Sequence, residues 1–202
     1  MASSKTSSKK LLSLAGKTRV LRPRDLAPLG IPRVVLYREV ERGTLERVGR
    51  GLYMSTGAEV GEFHALAEAA TRVPRGIVCL LSALRFHGLG TQAPFEVWMA
   101  IHPDARKPRV DYPPIRIVRF SGRALAVGVE THRVEGVEVR VTSLAKTVAD
   151  CFKYRNKIGL DVAIEALKDY RHARRGTISD LLQAAHACRV ARVILPYLEM
   201  TT

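Results

Sequence analysis

Acidic side chains are scarce in this chain: nineteen Asp and Glu stand against thirty-three Lys and Arg in 202 residues, a formal charge of +14. Aromatics are also few, at 6%, so the core must come mainly from the aliphatic part of the 47% hydrophobic fraction. No stretch approaches the roughly 18 uninterrupted apolar residues of a membrane helix, and no membrane partner is expected. The three cysteines, Cys79, Cys151 and Cys188, are odd in number, far apart and set in apolar runs. That excludes a disulfide framework, and no C-x-x-C or Cys/His pairing offers a metal site. They read as reduced core residues. The phosphate-loop pattern and the Gly-x-Ser-x-Gly elbow are missing, which removes two common signatures of nucleotide and ester hydrolysis. Residues 1–10 are polar, rich in Ser and Lys, and hold no apolar segment of the kind a secretory signal needs. A cytoplasmic location is therefore expected.

What is abundant is positive charge, and it is unevenly spread. Residues 1–57 hold twelve Lys and Arg against four acids; residues 58–202 hold twenty-one against fifteen. A basic excess of this density draws polyanions, because each phosphate neutralised releases condensed counterions. Nucleic acid is the polyanion it fits best, and with the winged helix-turn-helix read below, double-stranded DNA is the expected partner.

Helical spacing begins over residues 8–17, where Leu11, Leu12, Leu14 and Ala15 share a face. Pro23 suits the first turn of a second short helix, which Gly30 ends through a left-handed cap. A third helix is expected over 33–42, with Pro32 at its first position, Leu36 and Val40 inward, and Gly43 closing it. Two β-prone runs, 44–48 and 52–55, flank Gly49-Arg50-Gly51 and read as a hairpin. Three short helices and a hairpin spell a winged helix-turn-helix over residues 1–57, with a basic N-terminal tail.

Residues 58–202 read as a second, mixed domain. Helix is expected over 59–73, an apolar run over 77–80, a helix capped by Ser82, and strands over 96–101 and 115–120 around a Pro-rich basic loop. Runs 127–134 and 137–142 alternate around Glu135-Gly136 as a hairpin. Helices follow over 143–154, 160–174 and 177–189, with a last turn or two ending near 199. Thr177 and Asp180 have capping-box spacing. The fold class is mixed α/β, or α+β: a winged helix-turn-helix, then an α/β domain ending in helices.

On the third helix, Arg33, Val34, Tyr37 and Arg38 recur at i, i+1, i+4 and i+5, which sets them on one face opposite Leu36 and Val40. Long donors near the front of a recognition helix can reach base edges, and an arginine binds guanine O6 and N7 in bidentate fashion. Arg47 and Arg50 sit on the hairpin, where the flanking glycines let Arg50 project toward a minor groove or a phosphate. Lys9, Lys10, Lys17, Arg19, Arg22 and Arg24 are candidate phosphate anchors. A further cluster, Lys146, Lys153, Arg155 and Lys157, concentrates charge around a helix end and is a candidate second contact for an anion or a partner protein.

Catalysis finds less support. His64, Ser82 and His87 lack the spacing of a nucleophilic site. Asp161 and Glu165 look like ordinary i,i+4 decoration rather than paired metal-binding carboxylates. The chain is expected not to be an enzyme and to need no cofactor or metal.

The ordered motifs resemble the AbiEi family, antitoxins of type IV (abortive infection) toxin–antitoxin systems. The matching pieces are Gly30-Ile31-Pro32-Arg33, GRGLY over 49–53, CLLSALRFHGL over 79–89, EVWMAI over 96–101, TSLAKTVADCF over 142–152 and YRNKIGLD over 154–161. The resemblance implies an N-terminal domain that binds inverted repeats in the promoter of its own operon and represses it. It also implies a C-terminal domain that counters a co-encoded nucleotidyltransferase-like toxin and assists cooperative self-association on DNA. The alternative reading is a stand-alone repressor whose C-terminal domain senses a ligand or dimerises. A nucleic-acid-processing enzyme ranks below both.

Overall fold

The computed structural model describes residues 2–17, 20–58 and 61–200, with side chains from Thr6 onward except that of Lys17. The chain divides into two compact units: residues up to 72 together with 133–138, and residues 73–132 together with 139 onward. The first unit runs past residue 57, where the sequence places its boundary, and takes in the next helix.

In the first unit, α1 (Ala2–Lys17), α2 (Pro23–Leu26), a 3-10 turn (Ala27–Leu29) and α3 (Arg33–Glu41) lead into the hairpin of β1 (Leu45–Gly49) and β2 (Leu52–Ser55). Helix α4 (His64–Arg72) follows. Gly30 ends the second helix at φ +65°, a left-handed conformation that costs glycine nothing. Pro32 stands at the N-cap of α3, one residue before the first-turn position the sequence suggests. Leu11 and Ala15 of α1 pack on Leu26, Val35, Leu36, Leu45 and Tyr53. Leu12 is turned outward, so the buried stripe of α1 is narrower than its run of leucines implies. At the end of β1 a Cβ on Gly49 would lie 2.6 Å from Glu68 Oε1. That carboxylate is buried on α4 and accepts from Arg72 at 2.9 Å, so the hairpin lies against α4 because position 49 has no side chain.

The second unit contains β3 (Ile77–Val78), α5 (Leu80–His87), β4 (Val97–Ile101), β5 (Ile115–Arg119) and α6 (Arg123–Ala126). It continues with β6 (Val129–Val134), β7 (Val137–Thr142), α7 (Leu144–Lys153), α8 (Arg155–Ile158), α9 (Leu160–Ala173), α10 (Ile178–Cys188) and α11 (Ala191–Met200). The strands line up in the order β5-β4-β3-β7-β6. Strand β3 runs antiparallel to β4 and parallel to β7, and β4 runs parallel to β5. Glu135 and Gly136 both take positive φ, as a two-residue hairpin turn requires; this turn, residues 133–138, groups with the first unit.

The core of the second unit joins Ile77, Leu84, Trp98 and Phe120 to Val148, Phe152, Leu167, Tyr170, Leu181 and Ile194. Cys79, Cys151 and Cys188 are unpaired and buried in it. Ser143 caps α7, and Thr177 with Asp180 forms the capping box of α10 in both directions. Ser82 does not cap α5: Cys79 occupies that position. The Ser82 hydroxyl instead accepts from the Trp98 amide at 2.9 Å and donates to the Glu96 carbonyl at 3.3 Å, fixing the start of β4. The mixed α+β class expected from the sequence is the one the chain adopts. Among the described residues no helix is long and apolar enough to cross a membrane.

Candidate nucleic-acid interface

Helix α3 presents two distinct faces. Val35, Leu36 and Glu39 are buried. Arg33, Val34 and Tyr37 are exposed and Arg38 is half-exposed, so the four residues singled out by their spacing share the solvent side. Val34 and Tyr37 are large apolar groups left open at 56% and 48%, a state that helps neither folding nor solubility. Flanked by two guanidinium groups, they form a surface of mixed donors and apolar contacts, the kind that reads base edges and thymine methyls.

What holds this helix is a carboxylate that sequence reasoning passed over. Glu39 lies on the buried face and is 2% exposed. Its oxygens accept from the Ser8 hydroxyl of α1 at 2.8 Å, from Arg42 at 2.8 Å and from the Thr44 hydroxyl at 2.7 Å. One side chain therefore ties α3 to α1, to its own C-terminal turn and to the entry of the hairpin. Burial pushes the Glu39 carboxyl up, but the hydrogen bonds from Thr44, Ser8 and Arg42 outweigh it and hold the group below the usual carboxylate range. The signal in the sequence was its position: three or four residues after Leu36 and Val35, where an apolar residue would continue the stripe.

The sign of the pH effect follows. A carboxyl titrating lower when folded contributes stability that is complete above about pH 4.3, its unfolded value, and that fades as the pH falls through the lowered value. Glu39→Gln is expected to flatten the acid limb of the first unit's stability below about pH 4, read by urea unfolding at stepped pH. Glu39→Ala removes three hydrogen bonds but leaves Arg42 in solvent and Thr44 on the residue 39 carbonyl, and is expected to cost about 1–2 kcal/mol at neutral pH.

The hairpin abuts the same face. Tyr53 on β2 is 6% exposed, and its ring meets Tyr37 edge-on with centroids 6.4 Å apart. The Tyr53 amide and carbonyl both bond to Leu21, at 3.0 and 2.7 Å. Tyr53 thus braces the exposed Tyr37 ring from below, a role that no spacing rule in the sequence marks. Tyr53→Leu is expected to weaken DNA binding about threefold to tenfold while the fold persists, because the loss of an edge-to-face pair is of order 1 kcal/mol; titration calorimetry checks it. Arg47 and Arg50 are exposed on the hairpin, with Arg47 Nε donating to the Gly49 carbonyl at 3.2 Å. Gly51 at φ +73° makes the tip turn.

The flanking cations divide. Lys9, Lys10 and Arg24 are exposed, and Lys9 and Lys10 border a shallow groove with Ser13, Leu14 and Leu29. Arg22 corrects the sequence reading. It is buried and forms a two-bond pair with Asp25 at 2.8 and 2.9 Å, so its charge is spent inside the unit at the start of α2. Arg19 and the side chain of Lys17 lie outside the described residues.

The proposed second cluster is also corrected. Lys146 is fully buried, paired with Asp150 one turn on, and its ammonium sits 4.6 Å from the Phe120 ring centroid. The sequence shows how many charges a helix carries; here the helix turns this one inward. Lys153 and Lys157 are exposed, and Arg155 is half-buried with a bond to the Phe152 carbonyl at 2.8 Å. Among the catalytic alternatives, His87 Nε2 lies 2.7 Å from the Thr142 carbonyl, and burial holds its imidazole below the usual histidine range. His64 Nδ1 meets Glu135 at 2.6 Å. Both histidines and Ser82 are engaged in structural contacts. Among the described residues no group of three or more His, Cys, Asp or Glu could hold a metal.

Residues 9–56 match a family model described as a transcriptional regulator, AbiEi antitoxin. The matched segment spans α1 through β2, the elements that build the α3 face and the hairpin. Over those residues it bears out the resemblance read from the sequence; the motifs quoted beyond residue 56 lie outside the match. Among solved structures, the RV2827C protein from Mycobacterium tuberculosis shares the fold with a TM-score of 0.58 at 13% identity. The alignment covers 96% of this chain and 81% of that one. No curated protein gives a significant match.

Proposed function

We propose that this chain is an antitoxin of a type IV toxin–antitoxin system that also represses its own operon. The first unit binds inverted repeats in the promoter, with α3 in the major groove. Arg33 and Arg38 contact guanine edges while Val34 and Tyr37 make the apolar contacts. Arg47 and Arg50 reach an adjacent groove or phosphates, and Lys9, Lys10 and Arg24 neutralise the backbone. The second unit counters a nucleotidyltransferase-like toxin encoded beside it and takes no part in catalysis. The observation that carries the reading is the α3 surface: two arginines, an open tyrosine and an open valine on a helix locked by Glu39, inside the segment that matches AbiEi regulators.

Gel-shift titration of the full chain against the DNA upstream of its gene tests the repressor half. Binding there should exceed binding to random duplex, with a log–log salt slope of about −4.5 for five phosphate contacts. A slope near zero contradicts it. Co-expression with the neighbouring gene tests the antitoxin half: growth rescue is expected, and growth arrest unaffected by the chain contradicts it.

A further inference from the structure

One contact in the first unit joins two residues that folding alone does not favour. Glu68 on α4 is 1% exposed, and its Oε2 is buried without a hydrogen-bond partner among the described residues. Arg72, one turn on, donates to Oε1 at 2.9 Å, yet its own Nε is also buried and unpartnered. A half-satisfied buried ion pair serves stability less well than apolar side chains of similar size. Opposite stands Gly49, the last residue of β1, and glycine in a strand costs backbone entropy and packs nothing. Its φ is not positive, so no turn calls for glycine there. What calls for it is Glu68, whose Oε1 and Oε2 lie 2.6 and 3.3 Å from where a Cβ would stand. Proteins break local rules in this way mainly where function demands it.

The contact falls where the hairpin is aimed. The β1–β2 register slips between Arg47 and Gly49, and a bulge of this kind bends a strand and redirects the side chains beside it. Glu68 presses on that bulge, and Arg50 is the next residue, exposed at the tip before Gly51 turns at φ +73°. Helix α4 is not free to yield. Just before and at its start, the Gly61 amide and His64 Nδ1 meet the buried Glu135 carboxylate at 3.0 and 2.6 Å. Leu66, Ala67 and Ala69 are buried along it.

We propose that Glu68 is a positioning residue for DNA binding: its carboxylate, seated on Gly49, sets the direction in which Arg50 leaves the hairpin. This role rests on the reading above, in which Arg50 meets DNA. It brings α4 into the DNA-binding device, beyond the residues 9–56 that match AbiEi regulators. It also reverses the sign expected from charge. Removing an anion from a basic DNA-binding unit lessens repulsion and by itself strengthens binding. Removing a carboxylate that aims an arginine weakens it.

Salt titrations of the full chain on the upstream DNA test this, with Arg50→Ala, Glu68→Ala and the double variant side by side. Arg50→Ala should reduce the log–log slope by about 1, which near 0.1 M salt is roughly a fivefold to tenfold loss of affinity. Glu68→Ala should lose as much, and the double variant should be no weaker than Arg50→Ala alone. Glu68→Gln, which keeps an oxygen to accept from Arg72, should bind like the wild type. Gly49→Ala disturbs the same contact from the hairpin side and should match Glu68→Ala; it carries the test if Glu68→Ala does not fold by circular dichroism. Glu68→Ala binding as tightly as the wild type or more so, with its slope intact, overturns the proposal while Arg50→Ala still upholds the DNA contact. Losses that add in the double variant overturn it too, since Glu68 would then act apart from Arg50. Unchanged affinity and slope in Arg50→Ala would remove the hairpin contact itself, and the role of Glu68 with it.

Discussion

Lys146→Met is expected to cost the second unit about 3–5 kcal/mol, read as a shift of its denaturant midpoint at constant slope. The reason is what the substitution leaves behind. Asp150 is fully buried; its carboxylate is met by the Lys146 ammonium and, at 3.2 Å, by the Cys188 thiol as donor. Removing the ammonium strands an anion among Phe120, Cys79 and Cys151, and a carboxylate buried without a cation must protonate or expel its neighbours. Burial already pushes the Asp150 carboxyl above its ordinary range in spite of Lys146, so desolvation outweighs the attraction even in the intact pair. It follows that Lys146→Met/Asp150→Leu should recover the loss and equal or exceed the wild type by about 1–4 kcal/mol. A double variant as unstable as the single one would show that the pair itself, rather than the stranded charge, supports the core.

Arg33→Ala and Arg38→Ala are expected to weaken binding to the upstream DNA by about 1–3 kcal/mol each, roughly fivefold to 150-fold, and to lower binding to random duplex far less. Lys10→Ala should lower both alike and reduce the salt slope by about 1. Arg33 opens α3 directly after the Pro32 N-cap, and Arg38 lies five residues on along the same side, whereas Lys10 is exposed on α1, where a phosphate contact is proposed. The helix is rigid enough to transmit the difference, since Glu39 fixes it at three points. Equal losses on specific and random DNA for all three variants would reduce Arg33 and Arg38 to phosphate anchors.

Much of the first unit was legible because short-range signals agree there. Pro23, Gly30 and Pro32 punctuate the helices and Gly51 turns the hairpin tip, each through backbone constraints that need no tertiary context, whereas Gly49 is required by the approach of Glu68. The exposed face of α3 was legible for the same reason, periodicity alone dividing Arg33, Val34, Tyr37 and Arg38 from Leu36. The misses share a physical cause: charge was counted without its direction. Arg22 and Lys146 add to the basic total yet sit inside, each paired with an acid three or four residues on, Asp25 and Asp150. Glu39 and Tyr53 went unnoticed because their partners, Ser8 on α1 and Tyr37 on α3, are distant in sequence. In the second unit the strands and long helices were visible in alternation and spacing. The sheet order was not, because β3 is two residues long and sits between β4 and β7 through long-range pairing.

The most direct test of the DNA-binding account is dimethyl sulfate footprinting of the upstream DNA with the full chain bound, since the reagent methylates guanine N7 in the major groove and adenine N3 in the minor. The account predicts protection of guanine N7 in each bound half-site, with Arg33→Ala and Arg38→Ala each unmasking a different guanine. Tight binding that leaves every guanine N7 open to methylation would contradict it.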